Sequence, residues 1–247
     1  MKRIGIIGGT GWDSGSLKST FPCARPGTIS TRWGNAAVFI CSLDDREIVF
    51  LHRHISPEIA THLPPHRINY RANIAAFREL DVSLILASSS VGTLHADWPI
   101  GSFALVDQII DFTSGRESTF HDAEAVHVDM TSPYDEQGKV LLRQAASKHK
   151  TELHEGATYI CTNGPRFETP AEIRMFGQWG ADVVGMTGMP EVALARELQI
   201  PYASLAVITN PAAGIDSTKR THKEVQIEMQ RALPILTSII LDAAKTA

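Results

Sequence analysis

Short apolar runs that end in small or polar residues alternate along the chain with segments whose apolar residues recur at helical spacing. Several of the runs are apolar at every position, which is typical of strands covered on both faces. We therefore predict strands over residues 3–8, 36–43, 47–52, 83–91, 103–110, 157–162, 182–187 and 202–209.

The segments between these runs predict helices over residues 65–80, 169–180, 190–200 and 221–245. The second of them has the clearest start, because Thr169 can cap the helix, Pro170 suits its first turn and Glu172 completes a capping box. Strands that alternate with helices predict a three-layer α/β fold in a single domain covering residues 1–247. Ligands of such folds bind at the carboxyl ends of strands, so candidate chemistry is sought there.

The charge balance argues against two classes of partner. The 247 residues carry a net charge of −4, so no overall basic field attracts nucleic acid or an acidic membrane surface. No apolar stretch approaches the ~18 residues that a membrane-spanning helix needs, and the apolar run at the N-terminus is too short for a signal peptide. An anionic ligand would therefore have to be held by a local site.

The cysteines Cys23, Cys41 and Cys161 are odd in number and are not spaced for a metal site. We interpret them as reduced thiols of a cytoplasmic protein, without a disulfide framework. Cys41 and Cys161 lie in apolar runs, and such thiols are more often buried than catalytic. A nucleophilic Cys161 is kept as the less favoured alternative.

Side chains that could hold an anion follow several of the predicted strands. The glycine turn after the first strand lets backbone N–H groups approach an oxyanion, and Thr10 adds a hydroxyl. Arg53 offers a planar fork for phosphate oxygens, and His54 offers a further donor. The other hydroxyls at strand ends are those of Ser88, Ser89, Ser90 and Thr187. Each motif alone also fits a surface cluster, a polar turn or a helix cap, but together they supply the donors for one anion.

Beside these donors stand Phe167, Glu168 and Asn210, a set suited to a flat heterocycle with hydrogen-bonding edges. The neighbouring Arg166 receives no role and is interpreted as structural. The sequence contains no Walker, HExxH, CxxC or GxSxG motif. We therefore predict no metal site.

Two other kinds of protein are weighed. A nucleotide-cofactor oxidoreductase could use the glycine turn, but the glycines Gly5, Gly8, Gly9 and Gly11 do not follow the GxGxxG spacing. No acidic residue stands at the ribose-reading distance, and residues 14–27 are predicted to be loop where that site needs a helix. A nucleoside-binding protein without catalytic activity is the third possibility.

The sequence resembles the trimeric purine nucleoside phosphorylases, in the methylthioadenosine and methylthioinosine phosphorylase branch. The motifs that carry the resemblance are IGIIGGTG, PPHRINYRAN, SSSVGTL, GPRFET and YASLAVITNPAAG, and they extend over essentially the whole chain. The resemblance implies a twisted mixed sheet flanked by helices and a homotrimer with a shared active site. It also implies that inorganic phosphate, as co-substrate, attacks C1′ of a purine nucleoside without a metal or an organic cofactor.

The same resemblance implies roles for individual residues. Those that would hold phosphate are Thr10, Arg53, His54, Ser89, Ser90 and Thr187, with Ser88 close by. Those that would bind the nucleoside are Val91, Gly92, Phe167, Glu168, Gly185, Met186, Asn210, Ala212 and His222, together with His127, which would reach the neighbouring subunit's pocket. Glu168 and Asn210 would also be the catalytic residues.

Base preference follows from the edges that these residues present. A carboxylate at Glu168 accepts the N1–H of a 6-oxopurine, whereas adenine presents a bare acceptor there. We therefore expect 6-oxopurines to be preferred. A 5′-methylthio group is favoured by the branch that the chain resembles, whereas the polar His222 favours inosine or guanosine. Ile55 and the longer loop after it depart from the family pattern, so His62 receives no role.

Overall fold

Nine strands form one mixed sheet in the computed structural model, which describes residues 2–12, 14–59, 61–217 and 221–247. The strands are β1 (Lys2–Gly8), β2 (Arg25–Thr31), β3 (Gly34–Leu43), β4 (Arg46–His52), β5 (Val82–Thr93), β6 (Phe103–Phe112), β7 (Leu153–Thr162), β8 (Val183–Gly185) and β9 (Tyr202–Pro211). Their order in the sheet is β2-β3-β4-β1-β5-β8-β7-β6-β9, with a further pairing of β5 with β9.

Helices cover both faces of this sheet. They are α1 (Ser14–Thr20), α2 (Tyr70–Glu79), α3 (Glu136–Lys148), α4 (Pro170–Gln178), α5 (Glu191–Glu197) and α6 (His222–Thr246). One apolar core joins the sheet to α2 and α5, and a second core joins it to α1, α3 and α6. Burial of apolar surface in these two layers stabilises the fold, and the predicted three-layer α/β architecture is confirmed.

The parallel pairing of neighbouring strands places the functional residues. β1 pairs in parallel with both β4 and β5, and β5 pairs in parallel with β9. The carboxyl ends of these four strands therefore meet at one edge of the sheet. No helix in the described part of the chain is both long enough and apolar enough to cross a membrane.

All eight predicted strands are present, but one strand and two helices were not foreseen. Residues 14–27 were predicted to be loop, and this was wrong. They contain α1, which buries Leu17, then the buried Phe21 directly after that helix, and the start of β2. Strand β2 pairs only with β3 and has no fully buried residue, so it lacks the apolar signal of the other strands. Helix α3 buries mainly small residues, which give a weak periodic pattern.

The predicted helices differ from the observed ones mainly at their ends. The capping box of Thr169 and Glu172 is confirmed at the start of α4. The segment predicted as one helix over 65–80 begins with a short 3-10 helix, Pro65–Arg67, before Asn69 caps α2 by accepting a hydrogen bond from the N–H of Ala72. The side-chain cap thus starts the α-helix later than the apolar pattern indicated.

Candidate active site

A cavity of about 310 Å³ opens where the strands β1, β4, β5 and β9 end. Most of the predicted site residues line it, although they come from distant parts of the chain. Those residues are Thr10, Arg53, His54, Ser89, Ser90, Val91, Gly92, Phe167, Glu168, Gly185, Met186, Thr187, Asn210 and His222. The structure thus brings the predicted oxyanion donors and the predicted purine-binding residues to one space.

Three predicted residues do not line this cavity. The Ser88 hydroxyl turns into the core, where it donates to the Ile7 carbonyl and accepts from the indole N–H of Trp12. Ala212 is 3% exposed and packs behind Gly92. His127 is exposed on the segment between β6 and α3. Its predicted contact is with another subunit, which a single chain does not test.

Arg53 follows β4 and is buried, with 2% of its surface exposed, where it lines the cavity. Its Nε and Nη2 atoms donate to the two carboxylate oxygens of Glu191 at 3.0 and 2.9 Å, and Nη1 donates to the Ser88 carbonyl at 2.6 Å. Burial alone would lower the pKa of Arg53, but the charge and hydrogen bonds of Glu191 outweigh it and raise that pKa. The guanidinium is therefore always charged, and sequence reasoning did not identify its partner.

The glycine turn after β1 allows two polar groups to approach the backbone. A Cβ built on Gly9 would lie 2.8 Å from Nη1 of Arg53 and 3.5 Å from Nε2 of His54. The first distance is too short for a real Cβ, so only glycine lets the Arg53 side chain lie this close to the backbone. Nη1 of Arg53 and Nε2 of His54 both face this turn, beside Thr10.

The protonation of His54 differs from the sequence-based prediction. Its Nδ1 lies 2.8 Å from the Leu63 carbonyl oxygen, and burial lowers the pKa of His54 to about 3. The ring is therefore neutral, and its single proton is on Nδ1, where it donates to Leu63. In this state Nε2 can only accept a hydrogen bond, whereas from the sequence we expected His54 to donate one to the anion.

Two hydroxyl groups complete this end of the cavity. Ser89 is 7% exposed, and its Oγ has no hydrogen-bond partner among the described residues. Thr187 is also buried, and its backbone N–H donates to the Tyr159 hydroxyl. A buried hydroxyl without a partner is costly unless a ligand pairs with it. Ser89 is therefore well suited to bind a polar ligand.

The other end of the cavity carries a carboxylate and an amide. Oε1 of Glu168 accepts a 2.7 Å hydrogen bond from the Thr162 hydroxyl, and burial raises the pKa of Glu168 in spite of that bond. The Asn210 side chain accepts from the Thr209 hydroxyl and donates to the Pro211 carbonyl. Each side chain is thus held by its neighbours and keeps hydrogen-bonding capacity for a ligand.

The aromatic ring and the glycines of the predicted set shape this end. Phe167 is 40% exposed at the cavity mouth, as a ring that stacks on a ligand would be. A Cβ on Gly92 would lie 3.1 Å from Nδ2 of Asn210, and one on Gly185 would lie 2.1 Å from the Tyr159 hydroxyl. Larger residues at these two positions would displace the polar groups around the cavity.

Two histidines meet at the remaining side of the cavity. His62 stacks on His54 with 4.4 Å between ring centroids, and burial together with nearby His222 lowers the pKa of His62. Both His62 and His222 line the cavity. The sequence assigned no role to His62 because the loop after Ile55 obscured its register. Residue 60 of that loop lies outside the described residues.

The alternatives left open at this site are now decided by contacts. Cys161 is fully buried, does not line the cavity, and burial raises the pKa of its thiol to about 12. Such a thiol is a poor nucleophile. Arg166 pairs with Glu172 through two hydrogen bonds, in agreement with its structural interpretation.

Arg116 is a further residue that the sequence did not single out. Its guanidinium donates to the Tyr70 hydroxyl and to backbone carbonyls in the segments that follow β7 and β8. Those carbonyls belong to Thr162, Asn163, Met186 and Met189. One cation therefore ties together the two segments that carry Glu168 and Thr187.

Comparisons of sequence place this geometry among known proteins. A profile of the phosphorylase superfamily matches residues 3–245. A probable S-methyl-5'-thioinosine phosphorylase of Methanopyrus kandleri is 47% identical over 226 residues, which cover 91% of this chain and 85% of that protein. A 6-oxopurine nucleoside phosphorylase of Pyrococcus furiosus is 43% identical over an alignment of 254 positions, which covers 98% of this chain and 92% of that protein.

The comparison of structures agrees. A mutant adenosine/methylthioadenosine phosphorylase of Schistosoma mansoni, solved in complex with methylthioadenosine, has a TM-score of 0.89 with this chain at 30% identity. The match covers 100% of this chain and 91% of that one.

Proposed function

The chain belongs to the phosphorylase superfamily, and from this membership we propose that it cleaves the N-glycosidic bond of purine nucleosides with inorganic phosphate. The products are a free purine and a pentose 1-phosphate. The observation that carries the proposal is the single cavity in which Arg53 and an unpartnered Ser89 hydroxyl face the same space as Glu168 and Asn210. The co-substrate is inorganic phosphate, and neither a metal nor an organic cofactor takes part.

The oxyanion donors account for the phosphate end of the reaction. Thr10, Arg53, Ser89, Ser90 and Thr187 would donate to phosphate oxygens, and Nε2 of the neutral His54 would accept a hydrogen bond from the O–H of hydrogen phosphate. A phosphate oxygen then attacks C1′ from the face opposite the base, while the bond from C1′ to the purine nitrogen breaks and its electrons leave with the purine. Positioning and electrostatic stabilisation supply the rate enhancement.

The purine end accounts for the choice of base. Oε2 of Glu168 is the oxygen that Thr162 leaves free, and it would accept N1–H of a 6-oxopurine. Asn210 would donate its remaining amide N–H to O6, and its oxygen would accept a hydrogen bond from the N–H that forms when water protonates N7 of the leaving purine. Adenine would place a bare N1 against the carboxylate, so a 6-oxopurine is the preferred base. Phe167 would stack on the ring, with Val91, Gly92, Gly185 and Met186 around the nucleoside.

We propose a 5′-methylthio purine nucleoside as the preferred substrate, with methylthioribose 1-phosphate as the sugar product. The relative that is 47% identical is named for that activity. Inosine or guanosine is the second candidate, because the polar His222 lines the cavity and could bind a 5′-hydroxyl. Replacing His222 with Val should raise the use of methylthio substrates relative to inosine, and an unchanged ratio would remove this role from His222.

The proposal extends to the assembly. We propose a cytoplasmic homotrimer of single-domain subunits, in which His127 of one subunit completes the 5′ pocket of the next. Light scattering should then give three times the chain mass of 27.0 kDa. His127→Ala should raise the KM for the nucleoside without changing that mass. A monomer with full activity would contradict the shared site.

Base release from four nucleosides, each with and without phosphate, tests the function. Release should require phosphate, and methylthioinosine should react faster than methylthioadenosine, with inosine and guanosine deciding the 5′ preference. Release without phosphate would overturn the proposal in favour of a hydrolase. Nucleoside binding without base release would favour the non-catalytic binding protein, and tight NADH binding would favour the oxidoreductase.

A further inference from the structure

Hydrogen bonds within the protein hold Arg53 in the fixed position that a phosphate-binding residue needs. Its backbone N–H donates to the Gly8 carbonyl at 3.0 Å, which ties it to the end of β1. Of the five N–H donors of the guanidinium, Glu191 takes two and the Ser88 carbonyl takes one. One N–H on Nη1 and one on Nη2 therefore remain for a ligand.

The partner of Arg53 is held as firmly as Arg53 itself. Glu191 is 1% exposed at the start of α5, and its Oε1 also accepts a 2.6 Å hydrogen bond from the hydroxyl of Tyr202, the first residue of β9. Burial, followed by the charge of Glu191, raises the pKa of Tyr202, so this hydroxyl stays protonated and donates. The carboxylate thus accepts three hydrogen bonds from two residues, Arg53 after β4 and Tyr202 at the start of β9, and these fix its plane.

The orientation of the guanidinium follows from that plane. Because Nε and Nη2 are paired side-on with the carboxylate, the guanidinium cannot rotate, and Nη1 is held beside the turn at Gly9. The pairing also balances the charge of Arg53 within the protein. An anion in the cavity would then be held by directed N–H and O–H donors more than by an unbalanced positive charge.

We propose that Glu191 and Tyr202 are positioning residues that orient Arg53 toward phosphate. This inference rests on the proposed function. It predicts that replacing either residue weakens the binding of phosphate through Arg53. The binding of the nucleoside should not change, because neither residue lines the cavity. If either residue were needed only for stability, its replacement would weaken the binding of both substrates to the same extent.

Two variants and one control test the proposal. Glu191→Gln keeps the size of the side chain but removes one acceptor oxygen, and Tyr202→Phe removes one hydrogen bond. The control is Tyr134→Phe, since Tyr134 is also buried, and its ring centroid lies 5.9 Å from that of Tyr202. Initial rates are measured with phosphate and with nucleoside varied in turn. The stabilisation of each protein by phosphate alone and by hypoxanthine alone is measured by thermal unfolding.

The KM for phosphate should rise about tenfold in Glu191→Gln and about threefold in Tyr202→Phe, the range expected when a hydrogen bond that orients a charged group is lost. The KM for the nucleoside should stay within about twofold of wild type, as should both values in Tyr134→Phe. Stabilisation by phosphate should weaken, while that by hypoxanthine remains. If Glu191→Gln does not fold, Tyr202→Phe decides alone.

An unchanged phosphate KM in Tyr202→Phe, or equal rises in both KM values, would overturn the inference while leaving the proposed function intact. A wild-type protein that releases no base in the presence of phosphate would overturn the proposed function itself, whatever the variants show.

Discussion

The Thr162 hydroxyl donates a 2.7 Å hydrogen bond to Oε1 of Glu168, six residues further along the chain. Thr162 is the last residue of β7, so a rigid element fixes one oxygen of a carboxylate that otherwise lies on a loop. Glu168 lines the cavity end that we assign to the purine, and its second oxygen, Oε2, is not used by Thr162. Because one of its oxygens is fixed, Glu168 presents its carboxylate to the hydrogen-bond donors of a ligand in a defined position.

Glu168→Gln should reverse much of the preference for 6-oxopurines. The amide loses the carboxylate's charge and can present an N–H to the N1–H of the base. The kcat/KM for methylthioinosine should therefore fall about 100-fold, while that for methylthioadenosine falls less or rises. Base release from both nucleosides measures the ratio.

Glu172→Gln is the matched control for that change. Glu172 stands in the first turn of α4, four residues after Glu168, but it pairs with Arg166 and does not line the cavity. It should leave the ratio of the two nucleosides unchanged. The assignment of Glu168 fails if Glu168→Gln keeps the wild-type ratio as well.

His54 should remain neutral with its proton on Nδ1 well below pH 6.5, because burial lowers its pKa to about 3. In 15N NMR spectra, Nδ1 should keep the shift of an N–H nitrogen and Nε2 that of an unprotonated nitrogen from pH 8 to pH 5. Protonation of both nitrogens between pH 6 and 7 would contradict this tautomer.

Buried histidines should make the protein less stable in mild acid. Burial lowers the pKa of His52 to about 4, against an ordinary value of 6.5, and His54 shifts in the same direction. Below pH 6.5 the unfolded chain binds protons that the folded chain does not, so stability is lost as the pH falls toward about 4. Together these two residues should make the free energy of unfolding lower at pH 5 than at pH 7 by on the order of 4 kcal/mol, with about 2 kcal/mol from each.

Urea unfolding at several pH values measures that slope. His52→Asn removes one titrating ring and should flatten the slope between pH 6.5 and pH 5 without abolishing it. A slope identical to that of wild type would show that His52 is not held neutral by the fold.

Arg116→Lys should loosen the two segments that Arg116 joins. A lysine has three donors on one nitrogen and cannot reach the four carbonyls that the guanidinium contacts. We expect a loss of about 2 kcal/mol in the free energy of unfolding and a higher KM for the nucleoside. Urea unfolding and steady-state kinetics measure the two effects.

Arg71→Lys provides the comparison for Arg116. Arg71 pairs with Glu117 and Asp122, whose side chains are exposed. Its replacement should cost no more than about 1 kcal/mol and leave the kinetics unchanged. Equal effects of the two substitutions would show that Arg116 has no special role in the site.

The sequence predicted those parts of the fold that have a local signal. The apolar runs located eight strands, and Thr169 with Glu172 marked the start of α4, because these patterns arise from burial and capping within a few residues. Strand β2 was not predicted because a strand at an exposed edge of the sheet needs no run of apolar residues. Helix α3 was not predicted because its small buried residues differ little in hydrophobicity from their neighbours.

The same distinction holds for the site. Thr10, Arg53 and Thr187 could be found because each follows a strand whose end faces the cavity. The contact of Glu191 with Arg53 could not be predicted, since it joins residues 138 positions apart. Tyr202 hydrogen-bonds to Glu191 and so could not be linked to Arg53 either. The one available signal was a carboxylate in an otherwise apolar helical turn after Pro190. The tautomer of His54 depends on a carbonyl that no local pattern reveals.

The hydrogen bond from His54 to the Leu63 carbonyl has a consequence for which anions can compete in the cavity. Hydrogen phosphate and sulfate share shape and charge, but at neutral pH only the former carries an O–H. An unprotonated Nε2 would accept a hydrogen bond from that O–H. Sulfate would instead place an oxygen lone pair against the lone pair of the nitrogen. If phosphate binds beside His54 as we propose, the hydrogen bond to the Leu63 carbonyl would therefore let the protein distinguish phosphate and arsenate from sulfate.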